Sequence, residues 1–376
     1  MDRRTAAVYA RHAETWIAAR AVKAGDRRRI AAFARELRRC ARIADLGCGP
    51  GWHAALLRRA GLSVVGLDLT RAMLDAAREH AAGIPLVRAD LARLPFARES
   101  LDGAWARNSY IHVPPHELSL ALAELHRVLR PGARIALTVV DRAGLSRPAR
   151  ARVGGLVAQR QRDPTFGGRL FVADDAPGWR ALFANAGFRR IRIAPGDGPF
   201  WFAVDARRAR TLPDYVRPDL RVLVCGLNPS LVAADSGVPF AGASNRFWTA
   251  AVRSGLVDRE RDVRAALARG IGFTDLVKRA TPASSALTRS EYARGVKRVE
   301  RLVRSWQPRA VLFVGLEGYR RGVDPAALPG PLRSGFAGRP AYLMPSSSGR
   351  NASSSLAALS THLRRVARLT RDAASG

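Results

Sequence analysis

Two sets of residues in this chain have the types and spacing to do chemistry. The first is the run Asp45-Leu46-Gly47-Cys48-Gly49-Pro50-Gly51. Glycines at alternate positions let a backbone turn tightly and approach a ligand that side chains would exclude. Asp68 and Asp90 follow at the ends of later apolar runs, where a carboxylate can accept from hydroxyl or amine groups. The second set is dispersed: Gly226-Leu227-Asn228-Pro229-Ser230, then Phe240 and Asn245 within Gly237 to Trp248, and finally Met344-Pro345-Ser346-Ser347-Ser348-Gly349-Arg350-Asn351. A carboxamide such as Asn228 does not titrate near neutrality, so it cannot be a general base, but it can hold a water. Taken singly, each acid reads as a solvated strand end, Asn228-Pro229 as a turn, Phe240 as core and the serines as a flexible loop.

The elements that must position these residues alternate. Strands are expected at Ala41–Leu46, Ser63–Leu67, Pro85–Val87, Gly103–Arg107 and Arg134–Val140, with helices at Trp52–Ala60, Arg71–Ala81 and Leu118–Leu129. A helix over Trp179–Ala186 and strands at Arg190–Ile193 and Trp201–Val204 close the set. Arg207–Asp219 is charged, holds Pro213 and Pro218 and has no period, which predicts a linker over 206–220. Alternation restarts with the strand Arg221–Cys225. It continues with helices at Phe247–Ser254 and Arg289–Ser305, strands at Ala310–Val314 and Ala341–Leu343, and a helix from Ser353 to Ala367. The Pro- and Gly-rich stretch Gly322–Gly338 is expected to be an irregular surface loop. Such alternation implies two doubly wound, three-layer α/β domains, at 1–205 and 221–376. The turns after their first strands differ in chemistry, so the two are not repeats.

The glycine turn has Gly-x-Gly-x-Gly with Asp45 in front, rather than the Gly-x-Gly-x-x-Gly of a dinucleotide fold. It resembles the first motif of class I S-adenosylmethionine-dependent methyltransferases, over roughly residues 40 to 205, and Leu129-Arg130-Pro131-Gly132 matches a turn of the small-molecule branch. The resemblance implies a Rossmann-like methyltransferase fold that binds S-adenosylmethionine through Asp45, Gly47, Gly49, Gly51, Asp68 and Asp90. Asp68 would meet the ribose hydroxyls and Asp90 the adenine amine. Methyl transfer from an activated sulfonium needs orientation more than catalytic groups, so the acceptor cannot be read. His112 could touch it, although a structural role is the commoner one for such a residue, and a domain that no longer methylates is an open alternative.

The dispersed set, in its order, resembles the mismatch-specific uracil/thymine-DNA glycosylases from roughly Asp219 to Ala367, with Gly270-Ile271-Gly272-Phe273-Thr274 and Thr281-Pro282 agreeing between. The resemblance implies a uracil-DNA glycosylase-like fold and a base flipped out of the duplex. Asn228 would be catalytic, positioning water while the base departs from an oxocarbenium-like sugar. Phe240 would stack on the base and Asn245 read its edge, with Thr274 and Ala233 beside a thymine methyl group. Ser346, Ser347 and Ser348 would pinch the phosphate backbone, Gly349 would allow close approach to DNA, and Arg350 would fill the gap left by the flipped base. Ser230, Val238-Pro239 and Ala243-Ser244 depart from the family's pattern and bear on pocket shape.

Composition bounds these readings. The chain has 376 residues, a net charge of +32 and three cysteines without metal or disulfide spacing. Only Lys23, Lys278 and Lys297 are lysines, so the basicity is almost all arginine and is spread over both halves. No apolar run approaches a membrane span of about 20 residues, and no secretory leader is visible. The expectation is a cytoplasmic, bifunctional monomer acting on double-stranded DNA with G·U or G·T mismatches. It would use S-adenosylmethionine in its N-terminal half, no cofactor in the glycosylase and no metal. The alternative is a methyltransferase whose C-terminal domain binds nucleic acid without cutting it.

Overall fold

Short apolar runs bounded by glycine turns build two sheets. The computed structural model describes residues 1–145, 152–351 and 354–372, with side chains through 370. The chain divides into two units, Met1–Ala209 and Arg210–Gly376.

The first unit contains β1 (Arg42–Leu46), β2 (Ser63–Asp68), β3 (Leu86–Arg88), β4 (Leu101–Ala106), β5 (Leu129–Asp141), β6 (Val157–Arg160), β7 (Leu170–Asp174), β8 (Phe188–Pro195) and β9 (Trp201–Arg208). Their order is β3-β2-β1-β4-β5-β7-β6, with β9 antiparallel to β5 and β8 on β9. Strands β1 to β5 run parallel. The order reverses between β1 and β4, so a crevice opens there at the carboxyl ends of the strands. The amphipathic helix Arg71–His80 buries Met73, Leu74 and Ala77 as its spacing predicts. Three helices at Arg3–Arg11, Ala13–Ala18 and Ala24–Arg35, and strands β6 and β7, have no counterpart in the sequence reading.

The second unit contains β10 (Val222–Gly226), β11 (Ile271–Asp275), β12 (Ala310–Val314), β13 (Gly330–Phe336) and β14 (Arg339–Met344), in the order β11-β10-β12-β14-β13. All pairs are parallel except β13 with β14. The expected loop at Gly322–Gly338 therefore contains an edge strand, which shows no apolar alternation because most of its side chains on both faces are exposed or half-buried. The helix Arg289–Trp306 starts at a capping box between Thr288 and Glu291 and buries Tyr292, Val299, Leu302, Val303 and Trp306. The last helix runs Leu356–Asp372; Ser353, its expected first residue, lies outside the described residues.

The expected linker at 206–220 is corrected by the structure. Residues 206–208 belong to β9, and Leu212, Val216 and Leu220 are buried in the second unit. Tyr215 exchanges backbone hydrogen bonds with Phe273 of β11. Asp214, 2% exposed, accepts from Lys278 Nζ at 2.8 Å, Arg298 Nη1 at 2.7 Å and Thr274 Oγ1 at 2.8 Å. Burial opposes ionisation of Asp214, but Arg298 and Lys278 outweigh it and hold the carboxyl below its ordinary range. Aperiodic charge marks an ion-paired anchor here, not a spacer. Asp214→Ala would leave two cations buried without their counter-ion. It is expected to cost the second unit about 3–5 kcal/mol, read as a shift of its urea transition.

Candidate functional sites

In the first unit, β1 runs into the glycine turn. The amides of Gly47 and Cys48 both donate to Leu67 O, at 2.7 and 2.9 Å, and Gly47 has φ +74°. A Cβ on Gly47 would lie 2.4 Å from the Ser109 Cβ, whereas one on Gly49 would meet nothing within 4 Å. The first glycine thus clears the neighbouring strand end and the second faces open space, where a ligand could approach. Asp68, at the end of β2, accepts from Gly49 N at 3.0 Å and Thr70 N at 2.8 Å, one bond per carboxylate oxygen. Each oxygen keeps a lone pair for another donor.

These residues line a cavity of about 480 Å³, within the range of small-molecule sites. Gly47, Gly49 and Asp68 are in its wall. Asp45 and Asp90 are not. Asp45 is 1% exposed beneath the turn; burial pushes its carboxyl up to about 7, with His53 opposing and Asp68 adding. Gly51, φ +81°, packs against the helix that ends at His80: a Cβ there would lie 2.8 Å from that of Ala81. Asp90 lies in an adjoining groove and holds the Met1 amino group with both oxygens at 2.8 Å.

The far wall of the cavity joins Arg107 and His112 to residues of elements the sequence did not announce. Arg107 pairs with Asp26 at 2.6 Å and Asp197 at 3.4 Å. His112 is 3% exposed, and its Nδ1 lies 2.6 Å from the carbonyl of Leu170, so Nδ1 carries the proton. Burial pushes the imidazolium down to about 4, leaving the ring neutral near pH 7. Nε2 is then an acceptor, the Tyr9 hydroxyl donates to it at 3.0 Å, and Arg169 Nη1 donates to that hydroxyl at 3.1 Å. His112 is both a wall of the cavity and a hydrogen-bonded core residue, so neither sequence reading excluded the other.

In the second unit, the carboxyl ends of β10, β11, β12 and β14 surround an open cleft of about 870 Å³. Asn228 Nδ2 donates to Pro229 O at 3.2 Å, Arg279 O at 3.0 Å and Thr281 Oγ1 at 2.8 Å. Carbonyl oxygens only accept, so the amide nitrogen must face them and Oδ1 is left for the cleft. Phe240, φ +57°, stacks on Phe247 with ring centroids 4.3 Å apart. Asn245 Oδ1 accepts from Phe247 N at 3.0 Å, which leaves its NH₂ as the group to offer. Ala233 is in the wall of the cleft.

Thr274 is not. It pairs with Cys225 while Asp275 pairs with Gly226, and adjacent side chains of a strand point to opposite faces. The Thr274 hydroxyl joins the Asp214 network, and Asp275 takes the place in the cleft. A Cβ on Gly226 would lie 2.5 Å from Asp275 Oδ1 and 3.5 Å from the Phe240 ring, so this glycine makes room for both. Burial pushes the Asp275 carboxyl up to about 6, with Lys278 opposing, Asp214 adding and Arg298 opposing.

The serine loop is divided. Ser347 is 1% exposed, which removes it from phosphate contact as an exposed hydroxyl, while Ser346 and Ser348 accept from loop amides at 3.3 Å each. A Cβ on Gly349 would lie 2.4 Å from the Ser244 Cβ, so its bareness serves loop packing rather than approach to DNA. Arg350 is exposed at the rim. Arg246, absent from the sequence reading, donates to Ser354 O at 2.6 Å, Asn351 O at 2.7 Å and Ser348 O at 3.3 Å, and its amide donates to Ser347 O at 2.9 Å. Nothing local marks it, because its partners lie about a hundred residues on.

Comparison with known proteins finds a family model that matches part of each unit. A methyltransferase-domain family matches residues 43–132, and the uracil DNA glycosylase superfamily matches residues 213–368. The second match begins within the anchored segment rather than after it. Similar solved structures include 1,6-didemethyltoxoflavin-N1-methyltransferase of Burkholderia thailandensis, at 21% identity over 54% of this chain and 84% of that one, TM-score 0.41. Another is an S-adenosylmethionine-dependent methyltransferase of Mesorhizobium loti, at 23% identity over 47% and 96%, TM-score 0.38. A third, from Thermotoga maritima, is described as a possible histamine N-methyltransferase, at 16% identity over 54% and 99%, TM-score 0.41. Among the described residues no helix is long and apolar enough to cross a membrane, and no cluster of side chains could hold a metal ion.

The Asp275 carboxyl gives a pH test. A raised value means that the folded state holds the proton more tightly than the unfolded chain does. Stability is therefore lost as pH rises from about 4, the unfolded value, to about 6, and the penalty is complete above that. Asp275→Asn is expected to match the parent at pH 4 and to exceed it by on the order of 2 kcal/mol at pH 8. Paired unfolding curves across that range measure it; a pH-independent difference would contradict the assignment.

Proposed function

We propose that the second unit is a DNA glycosylase that removes a mispaired pyrimidine, uracil opposite guanine first and thymine more slowly. The observation that carries this reading is the Asn228 amide, fixed by three acceptors so that Oδ1 meets the cleft beside Phe240. A flipped base stacked on Phe240 would present its edge to the Asn245 NH₂ and to Asp275. Water held by Asn228 Oδ1 would attack the sugar carbon as the C–N bond breaks and its electron pair leaves with the base. The water's second proton passes to solvent or to the departing base. No group near Asn228 need act as a strong base, because positioning and a stabilised leaving base supply the rate. Extruding a mispaired base costs less than extruding a paired one, and exposed Arg350 suits the vacated gap.

The same reading gives the first unit a methyl-transfer reaction with S-adenosylmethionine. Gly47, Gly49 and Asp68 fit that donor: the open face of Gly49 and the spare lone pairs of Asp68 suit a ribose. When bound, it supplies an activated methyl group, and the chain's part is to orient an acceptor and exclude water. Asp45 and Gly51 then act by shaping the turn. The DNA substrate, the mismatch preference, the monomeric state and the cytoplasmic location belong to this proposal too.

A duplex carrying one G·U pair should lose free uracil when incubated with the full chain, and absence of release would end the glycosylase reading. Asn228→Ala is expected to cut single-turnover release by about 10²-fold or more while duplex binding changes little. In the first unit, Asp68→Ala should weaken S-adenosylhomocysteine by about tenfold or more, as expected for loss of a charge-assisted bond. Calorimetry reads this directly, and unchanged affinity would remove Asp68 from the donor site.

A further inference from the structure

The cavity of the first unit holds a buried cation with no ion-pair partner among the described residues. Arg169 is 4% exposed and lies in the cavity wall. Its Nε donates to Phe166 O at 3.0 Å, Nη1 to the Tyr9 hydroxyl, and Nη2 to Gln161 Oε1. All three acceptors are neutral. No carboxylate among the described residues comes within ion-pair distance of it; Asp163, whose carboxyl Arg169 helps to hold low, is exposed and stays beyond that distance. Tyr9, Phe166 and Phe171 place their rings 5.3–5.6 Å from the guanidinium carbon. Ring faces attract a cation, but they offset only part of its lost hydration, and buried charges are ordinarily paired.

The rest of the wall carries charges of both signs: Arg20, Lys23 and Arg107 beside Asp26, Asp68 and Asp197. Arg107 is already neutralised by Asp26 and Asp197. Arg20 lies over the Trp16 ring at 4.9 Å, and Lys23 is exposed, neither with an ion-pair partner among the described residues. Asp68 shares the cavity, accepts from the neutral amides of Gly49 and Thr70, and forms no ion pair with Arg169 among the described residues. None of these three carboxylates pairs with Arg169, so its buried charge is the one left for a bound group to balance. Trp16, Trp52 and Trp201 supply flat apolar surface in the same wall.

We propose that the methyl acceptor is a planar, aromatic or conjugated small molecule bearing an anionic group, a carboxylate or an oxyanion, that docks beside Arg169. This rests on the methyl-transfer reading of the first unit. The anion balances Arg169 and, through it, the Tyr9–His112 hydrogen-bond chain, which stays neutral and positions the acceptor rather than taking its proton. Selectivity then comes from charge: a neutral amide of the same shape leaves the guanidinium uncompensated.

Matched pairs test this on the full chain saturated with S-adenosylhomocysteine. Calorimetry compares 4-hydroxybenzoate, indole-3-acetate and quinoline-2-carboxylate with their primary amides. At least one carboxylate should bind about tenfold or more tightly than its amide. Arg169→Gln should erase the preference, and Arg169→Lys, which keeps the charge without the fork, should retain part of it. If no pair shows a preference in the parent chain, or Arg169→Gln keeps it in full, the proposal is overturned; the first outcome needs no variant to fold. If S-adenosylhomocysteine itself fails to bind, the methyl-transfer reading falls. The pairs titrated alone then still decide whether Arg169 is an anion site.

Discussion

Both sites depend on one constraint of parallel sheets: neighbouring strands deliver their carboxyl ends to the same edge, and where the strand order reverses, the connections part and leave a crevice. In the first unit that point lies between β1 and β4, and in the second between β10 and β12. A residue without a side chain must then end the first strand or follow it, because the space above the edge is needed. Gly47 yields to Ser109 and Gly226 yields to Asp275 and Phe240. The same steric solution carries different chemistry. One turn presents backbone and a carboxylate to a small molecule; the other presents a locked carboxamide and an aromatic ring.

The α/β class, the two units and the turns were legible because glycines, apolar runs and their alternation are local properties. Asn228, Phe240 and Asn245 come to one cleft for the same reason: each sits next to a strand end or within a short segment leaving one. What was not legible is phase and long-range pairing. Thr274 and Asp275 are adjacent, and only the register with Cys225 and Gly226 decides which of them enters the cleft. Asp90 follows β3 by two residues and lies in a neighbouring groove with the Met1 amino group. The segment before β10 has a linker's composition, but Asp214 finds its counter-ions on Lys278 and Arg298, more than sixty residues away. The helices before β1 bury only a few apolar residues, Val8, Ala13, Ile30 and Phe33, and they bring Tyr9 and Trp16 to the cavity.

Charge deserves the same separation of uses. The excess of arginine suggests a polyanionic partner, yet several arginines are internal ties. Arg134 joins Asp205 and the carbonyls of Ala32 and Phe33, and Arg208, fully buried, pairs with Glu99. Planar guanidinium groups reach several acceptors at once, which suits loops rich in free carbonyls. Net charge therefore overstates the positive charge that the surface presents.

Arg246 joins the two segments that build the second cleft. It follows Asn245 directly and donates to the carbonyls of Ser348, Asn351 and Ser354, while Gly349 packs on Ser244. The Asn245 segment and the serine loop are consequently one mechanical part, although a hundred residues separate them along the chain. Loop exchange between related scaffolds would have to respect that partition: the transferable module is the pair of segments with its guanidinium clasp, and either strand of it grafted alone would arrive without the support that gives it shape.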